Sequence, residues 1–328
     1  MSEIQINPYP SVSVIMPCYN QSAIIGRAIE SIISQSYQNL HLIVLDDCSK
    51  DDSVEVIDSW QQRYPEKITR YLQQQNVGHA RNMNTGYRLC QGDLITFCDG
   101  DDWYYPDKIR NEVERLRNSN GYQVCYSNFD FYDVDGRLID HWVDELTSLP
   151  EGDLFISLLT LDYPQNLHFH YEMMPRSALD EVGYYDESIR GWLDWDYRLR
   201  LARVYKFGYV SAPGSAYTLQ PAGLTRSLAD QTLLTYWRMV VEKHLDLVDG
   251  YDEDCQRMVA ERLDHQDWIL RQVMALTGME GSKLVRMPRL ISFLARHPQY
   301  LYEYPFLIDN LFGSVIQRNI IRWKNSVR

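Results

Sequence analysis

Three carboxylates stand at positions 99, 101 and 102, directly after the short apolar run of residues 94–98. A short apolar run bounded by turn residues is typical of a buried strand, so these acids are expected at its carboxyl end, where open α/β sheets bind ligands. Mg²⁺ and Mn²⁺ prefer carboxylate oxygens, and one or two carboxylates with substrate phosphates suffice to hold them. The pattern therefore indicates a divalent-metal and phosphate site, with an acidic turn that caps the next helix as the alternative.

Strand and helix signals alternate over the first hundred residues, which contain this site. Apolar runs predict strands, and apolar residues at helical spacing predict helices between them. The predicted strands are residues 12–16, 41–45, 68–72 and 94–98. The predicted helices begin behind a Ser22 cap, near Asp51 or Asp52, and at Gly78. This alternation predicts βαβ units and hence a doubly wound α/β fold with a mostly parallel sheet.

The chain changes character after the acidic cluster. Asp135 and Gly136 form a hairpin signal between the runs 129–134 and 137–143, which predicts an antiparallel edge. From about residue 233 the apolar residues follow helical spacing, and a further helix is predicted from about 255 to 276. We therefore predict an α/β domain over residues 1–230 and a helical carboxyl-terminal extension over residues 231–328.

The charge of the chain is acidic and unevenly distributed. The net charge of −13 argues against a general nucleic-acid-binding protein, which needs a basic surface to displace counterions. Residues 283–328 hold eight Lys or Arg and two acids, so this tail carries +6 and the preceding residues −19. A basic end on an acidic body indicates an anionic partner for the tail.

The cysteines and the amino-terminal residues indicate the cytoplasm. The six cysteines show neither CxxC pairs nor metal-finger spacing, which favours reduced thiols. The first residues lack the basic and long apolar regions of a secretory signal. No segment approaches the ~18 to 20 apolar residues that cross a bilayer. We expect a cytoplasmic protein that does not span a membrane.

Six motifs follow one another along the chain: residues 16–20 (MPCYN), 45–51 (LDDCSKD), 78–82 (GHARN), 99–102 (DGDD), 175–187 (PRSALDEVGYYDE) and 193–200 (LDWDYRLR). Their order resembles that of one enzyme family, the inverting nucleotide-sugar glycosyltransferases of family 2. The resemblance extends from residue 11 to about 226 and implies a GT-A fold. It also implies nucleotide-sugar binding within residues 11–105 and an acceptor side within 106–230.

The resemblance assigns the nucleotide to the loops after the first two strands. Asp46 or Asp47 would accept a hydrogen bond from the base, most simply N3–H of uracil, while Pro17 or Tyr19 packs against the ring. Asn20 belongs to the same motif. For Asp46 and Asp47 the alternative is a simple role in capping the following helix.

The resemblance assigns the diphosphate to a basic residue, Arg81, and to the acids that follow the strand of residues 94–98. Arg81 would contact the pyrophosphate or its base-side neighbours as a fixed positive fork, unless it is an ordinary solvated helix residue. Asp99 and Asp101 match the family's DxD motif, which orients the donor and ligates Mn²⁺ or Mg²⁺. Asp102 is the spare acid, for which we predict a capping or supporting role.

The transfer step needs a base for the incoming hydroxyl, and the resemblance points to Asp194. Asp194 matches the second acid of the family's Glu-Asp pair, but Leu193 replaces the Glu. Gln220 stands where relatives have a histidine that can ligate the metal. Asp196 matches a later acid of the motif, and we interpret it first as an ion-pair partner of Arg200 at i+4.

Together these features predict an inverting glycosyltransferase that moves a sugar from a UDP-linked donor to a hydroxyl of a glycan or lipid-linked acceptor, with a divalent metal as cofactor. A catalytically weak or inactive nucleotide-binding scaffold subunit is the alternative, favoured by Leu193 and Gln220. The tail, residues 283–328, interleaves Arg with apolar residues and is compatible with peripheral contact at an anionic membrane face. An ordinary helical cap on the catalytic domain is the competing interpretation of the tail.

Overall fold

The computed structural model of this protein describes residues 9–119, 121–143, 147–161, 169–219 and 230–277. The chain divides into two compact units. The first comprises residues 1–155, 169–188 and 196–219, and the second comprises residues 156–168, 189–195 and 220–328. The domain boundary that the sequence places at residue 230 stays a prediction.

A mostly parallel sheet forms the centre of the first unit. Its strands are β1 (Val12–Cys18), β2 (Leu40–Asp46), β3 (Ile68–Leu72), β4 (Leu94–Phe97) and β8 (Met174–Pro175). Their order is β3-β2-β1-β4-β8, with β1 to β4 parallel and β8 antiparallel to β4. β1 is buried along its whole length, as expected for a strand inside a sheet covered on both faces. The predicted parallel sheet is confirmed.

Three helices alternate with these strands, namely α1 (Ile25–Ile33), α2 (Ser53–Arg63) and α3 (His79–Leu89). Apolar residues of α1 at helical spacing are buried, as predicted. The predicted Ser22 cap is wrong, because α1 begins at Ile25 and has no side-chain cap. The backbone N–H of Ser22 instead donates to Oδ2 of Asp51 (2.9 Å), which holds Ser22 in the loop before the helix.

A second sheet in the first unit contains β5 (Trp103–Tyr104), β6 (Val124–Tyr132), β7 (Leu138–His141) and β9 (Phe207–Thr218). Its order is β5-β9-β6-β7, and β6 and β7 form an antiparallel hairpin, so the predicted edge is confirmed. Gly136 occupies the turn with φ +76°, a conformation that glycine adopts without steric cost. The sequence did not predict β9, because Gly208, Pro213 and Gly214 interrupt its apolar pattern.

The remaining helices are α4 (Lys108–Arg117), α5 (Phe155–Leu159), α6 (Ala178–Glu181), α7 (Leu193–Ala202), α8 (Asp230–His244) and α9 (Glu253–Thr277). A 3₁₀ helix, Leu245–Gly250, lies between α8 and α9. Trp237, Val240 and Val241 of α8 are buried, as their spacing predicts. Within the described residues, no helix is both long and apolar enough to cross a bilayer.

Candidate functional site

The carboxyl ends of β1, β2 and β4 lie side by side in the first sheet. Cys18 is paired with Asp46, and Ile15 is paired with Phe97, one residue before Cys98. The loops that follow these strands therefore meet at one edge, where doubly wound sheets bind ligands. The sequence motifs at residues 16–20, 45–51 and 99–102 come together in this way within the first unit.

The two acids after β2 differ in their hydrogen bonds, although both are buried. Asp47 accepts from the backbone N–H groups of Val77 (2.7 Å) and Gly78 (2.9 Å), one on each carboxylate oxygen, and so fixes the chain that opens α3. Asp46 accepts from the backbone N–H of Ser49 (2.9 Å) through Oδ1. Its Oδ2 is buried and has no hydrogen-bond partner among the described residues.

The loop after β1 is fastened to the loop after β2 through Asn20. The backbone N–H of Asn20 donates to Oγ of Ser49 (2.9 Å), and Oδ1 of Asn20 accepts from the backbone N–H of Lys50 (2.7 Å). Asn20 has φ +53°, a left-handed conformation that asparagine tolerates better than most residues. The neighbouring Tyr19 ring is exposed, so this surface offers an aromatic face beside Asn20.

Gly100 brings the acidic cluster against the end of β1. A Cβ built on Gly100 would lie 2.3 Å from Oε1 of Gln21 and 3.1 Å from the carbonyl oxygen of Pro17. Only a residue without a side chain fits this gap without displacement of its neighbours. The glycine therefore places Asp99 and Asp101 beside the Pro17 loop.

The three acids of the cluster lie in different surroundings. Asp102 is fully buried and accepts from the hydroxyl of Tyr171 and from the backbone N–H of Thr218 (2.6 Å). Burial and the neighbouring Asp101 and Asp99 raise the pKa of Asp102 well above its usual range. Asp101 is half-buried, and burial together with Asp99 raises its pKa to about 6. The predicted supporting role of Asp102 agrees with these contacts.

Asp99 and Asp101 fit a divalent cation by their chemistry. They are hard oxygen donors of like charge, and burial together with the charge of Asp99 raises the pKa of Asp101. The described residues contain no group of three or more His, Cys, Asp or Glu side chains that could hold a metal. The coordination of a cation here would therefore need diphosphate oxygens and water in addition to the two carboxylates.

Arg81 lies in the first turn of α3 and pairs with Glu187. Its Nε is 2.9 Å from Oε2 of Glu187, and Nδ2 of Asn84 donates to Oε1 of the same carboxylate (3.1 Å). Hydrogen bonds from Arg81 and Asn84 lower the pKa of Glu187. The Arg81 side chain is 59% exposed but paired, so it is not a simply solvated helix residue. Its contact with a diphosphate stays a prediction.

The predicted acceptor-side residues lie on α7. Asp194 is half-buried in the first turn and belongs to the second unit, so its role as base stays a prediction. Leu193 beside it is buried. Asp196 is buried and accepts from Nε of Arg200 (3.0 Å), which confirms the predicted ion pair. Gln220 and the basic tail, residues 283–328, lie outside the described residues.

Sequence reasoning missed the buried groups that support the acids. Tyr171 contacts two of them, and its carbonyl oxygen accepts from Nζ of Lys108 (2.8 Å). Lys108 and Glu112 stand at the i,i+4 spacing of an ordinary helix ion pair, but both side chains are buried. No local signal marks Tyr171, because its partners are 63 or more residues away in the chain.

The fold is similar to that of two proteins that were solved with bound nucleotide sugars. TarS 1–349 of S. aureus, solved with UDP-GlcNAc, has a TM-score of 0.62 at 16% identity, covering 92% of this chain and 81% of that one. The mannosyltransferase PcManGT of Pyrobaculum calidifontis, solved with GDP-Man and Mn²⁺, has a TM-score of 0.61 at 17% identity, covering 95% and 89%. These likenesses identify the fold as GT-A.

The family follows from the sequence of the same region. The model of glycosyl transferase family 2 matches residues 13–183, and the chain belongs to this family. An uncharacterized glycosyltransferase of Rickettsia bellii is 25% identical over 315 residues, covering 95% of this chain and 40% of the relative. The chain thus spans about two fifths of the length of that curated relative.

Proposed function

We propose that this chain transfers a sugar from a nucleotide donor, UDP-linked in the first instance, to a hydroxyl of a glycan or lipid-linked acceptor. The observation that carries this proposal is the position of Asp99 and Asp101. Gly100 presses them against Pro17, at the same sheet edge as the Asp46 loop. A nucleoside diphosphate that reaches from one loop to the other would have its base and its phosphates at these two places.

Asp46 is the residue we assign to the base. A buried carboxylate oxygen without a donor costs free energy, and Oδ2 of Asp46 is such an oxygen among the described residues. An N–H of the base, N3–H for uracil, supplies the donor. The exposed ring of Tyr19 offers a face against which the base can stack. Asp47 and Asn20 then shape the pocket, because their side chains already bind the backbone of the loops.

Asp99 and Asp101 are the residues we assign to Mn²⁺ or Mg²⁺. When bound, such a metal offsets the negative charge that grows on the departing nucleoside diphosphate. The chain's own part is to hold two carboxylates beside the diphosphate side of the pocket. Arg81 lies at the start of α3 with its side chain largely exposed, and we propose that it contacts the diphosphate or its base-side neighbours.

Asp194 is our proposal for the base that takes the proton of the acceptor hydroxyl. An alcohol becomes a competent nucleophile as its proton leaves, and a half-buried carboxylate suits that task. A single displacement from the face opposite the leaving group inverts the configuration and forms no covalent intermediate on the enzyme. The buried Leu193 replaces one acid of the family motif, and this favours a nucleotide-binding scaffold subunit as the second candidate function.

A donor panel tests the proposal and separates the two candidates. UDP-Glc, UDP-Gal, UDP-GlcNAc and GDP-Man are each incubated with the protein and Mn²⁺, and the released nucleoside diphosphate is measured, with EDTA as the control. We expect release from one UDP-sugar and none with EDTA. Nucleotide binding without turnover on any donor would favour the scaffold, and neither binding nor turnover would refute both.

A further inference from the structure

Arg27 of α1 carries a positive charge at the edge of the acidic cluster, and none of the six sequence motifs includes it. Its guanidinium lies over the indole ring of Trp103, 3.7 Å from the ring centroid. Trp103 directly follows Asp102, so this stack adjoins the cluster. The Arg27 side chain is exposed, and within the described residues it makes no hydrogen bond and no ion pair.

The indole ring beneath the guanidinium is fixed from two sides. The backbone of Trp103 pairs with Ala216 of β9, and its ring meets the ring of Tyr132 edge to face, with 4.6 Å between the centroids. Tyr132 is in register with Thr218, whose hydroxyl donates to the carbonyl oxygen of Asp101 (2.7 Å). The indole is therefore tied to the same strand end that supports the acids.

The charges of Arg27 and of the acids act on each other. Partial burial lowers the pKa of Arg27, whereas Asp102 and Asp101 act in the opposite direction. Burial and Asp99 raise the pKa of Asp101, and Arg27 is one of the groups that oppose this rise. An arginine side chain stays charged in such surroundings. A permanent positive charge thus lies within electrostatic reach of Asp101 and Asp102.

We propose that Arg27 binds the diphosphate of the nucleotide donor, as a guanidinium that Trp103 holds at the edge of the acidic cluster. The inference rests on the proposed function of Asp99 and Asp101. Two carboxylates already balance the charge of a divalent cation, so the negative charge of the diphosphate needs a further partner. A guanidinium that stacks through its face keeps the N–H groups of its edges for oxygen acceptors, and this planar fork matches phosphate oxygens.

The first test is Arg27→Gln, with Arg63→Gln as the matched control. Arg63 also lies over aromatic rings, those of Trp60 and Tyr64, at the last residue of α2. Calorimetric titration measures the affinities for UDP and for uridine in Mn²⁺ and in EDTA. Charge-assisted hydrogen bonds to phosphate account for about ten- to a hundredfold in affinity, so we expect that loss of UDP affinity in Arg27→Gln alone. Uridine affinity should stay at the wild-type value, because uridine carries no phosphate.

Arg27→Lys and Trp103→Leu supply the second test. Lysine keeps the charge but not the planar fork, so its UDP affinity should lie between those of wild type and Arg27→Gln. Trp103→Leu removes the stacking partner and acts only through the guanidinium. Added to Arg27→Gln, it should therefore lower UDP affinity no further. A further loss in the double variant would overturn the role of Trp103.

The solution conditions separate this contact from other causes of weaker binding. The loss of UDP affinity in Arg27→Gln should appear in EDTA as well as in Mn²⁺, because the contact does not pass through the metal. Unchanged UDP affinity, equal losses for UDP and uridine, or a loss confined to Mn²⁺ would each overturn the inference. A wild-type protein that binds neither UDP nor uridine would instead refute the proposed function.

Discussion

Two acidic pairs lie at the carboxyl ends of β2 and β4, on either side of β1 in the same sheet, and they are held in different ways. Asp46 and Asp47 receive hydrogen bonds from backbone N–H groups of the loops beside them, at Ser49, Val77 and Gly78. Asp99 and Asp101 stand beside a buried third acid, Asp102, whose donors come from distant segments of the chain.

The second pair therefore depends on distant parts of the chain. Asp102 is held by Tyr171 and by the backbone of Thr218, which lie 69 and 116 residues further on. Backbone donors tie the first pair to its own loops. In the second pair, burial and the charge of Asp99 raise the pKa of Asp101. Residues of the same type at corresponding strand ends can thus depend on their own loops or on distant segments of the chain.

The largest expected effect comes from the buried charge beneath the second pair. Lys108→Met leaves the carboxylate of Glu112 buried and unpaired, and breaking such a pair costs about 3–5 kcal/mol of the free energy of unfolding. Urea denaturation measures it, with Lys67→Met as the control, because Nζ of Lys67 donates to Oε1 of Gln38 at the surface. The double variant Lys108→Met/Glu112→Gln should recover part of the loss. Equal stability of the two single variants would show that the buried pair is dispensable.

Asp101→Asn tests the pair of Asp99 and Asp101 directly. Removal of one charged ligand from the diphosphate side should lower the donor-hydrolysis rate about 10²–10³-fold, the usual cost of a lost electrostatic group at a developing charge. Asp107→Asn is the control, since Asp107 carries a similar carboxylate on the surface, paired with Arg110. Thermal unfolding should show both variants folded. Turnover of Asp101→Asn at the wild-type rate would refute the assignment of Asp101.

A matched pair of amide substitutions sharpens the contrast between Asp46 and Asp47. Asp47→Asn places an N–H donor against one of two backbone donors, so we expect a loss of about 1–3 kcal/mol in the free energy of unfolding. Asp46→Asn keeps the bond from Ser49 and should change stability by less than about 1 kcal/mol.

The nucleotide affinities should show the reverse order. Asp46→Asn should weaken UDP binding about tenfold, the equivalent of one hydrogen bond to a charged group. Isothermal titration with UDP measures this, and urea denaturation of the same samples measures stability. The contrast fails if Asp46→Asn destabilises the fold as much as Asp47→Asn does while leaving UDP affinity unchanged.

The smallest effect concerns the pair of Arg81 with Glu187. The folded state lowers the pKa of Glu187, so the pair stabilises the protein above the usual pKa range of glutamate and loses this effect as the pH falls through the folded-state pKa. At neutral pH Arg81→Ala should cost about 0.2–1 kcal/mol, because both side chains are partly exposed. Unfolding curves across pH should converge in acid. A difference that persists there would have another origin.

The first sheet could be predicted because its strands and helices are local patterns. Ile25, Ala28 and Ile29 of α1 show their helical spacing in the sequence, and the acids follow each strand directly. The motifs that meet at the sheet edge were predicted for the same reason, since parallel strands bring their carboxyl ends together.

The second sheet and the support of the acids could not be predicted locally. β9 contains Pro213 and two glycines, and it pairs in parallel with β6, about 80 residues earlier in the chain. Lys108 and Glu112 are buried against that sheet. Their i,i+4 spacing in the sequence is compatible with a helix ion pair but does not indicate burial. Tyr171 has no signal of its own, because its role comes from contacts made after the chain has folded.

The bond between Asp102 and the amide of Thr218 has a consequence for the order in which this protein assembles during synthesis. The strands β1 to β4 are complete once residue 97 has left the ribosome, and local contacts form early. Asp102 receives its backbone donor only after Thr218, 116 residues further on, has been synthesised. A nascent chain released before Thr218 would contain the completed loops around Asp46 and Asp47, but Asp102 would lack its backbone donor.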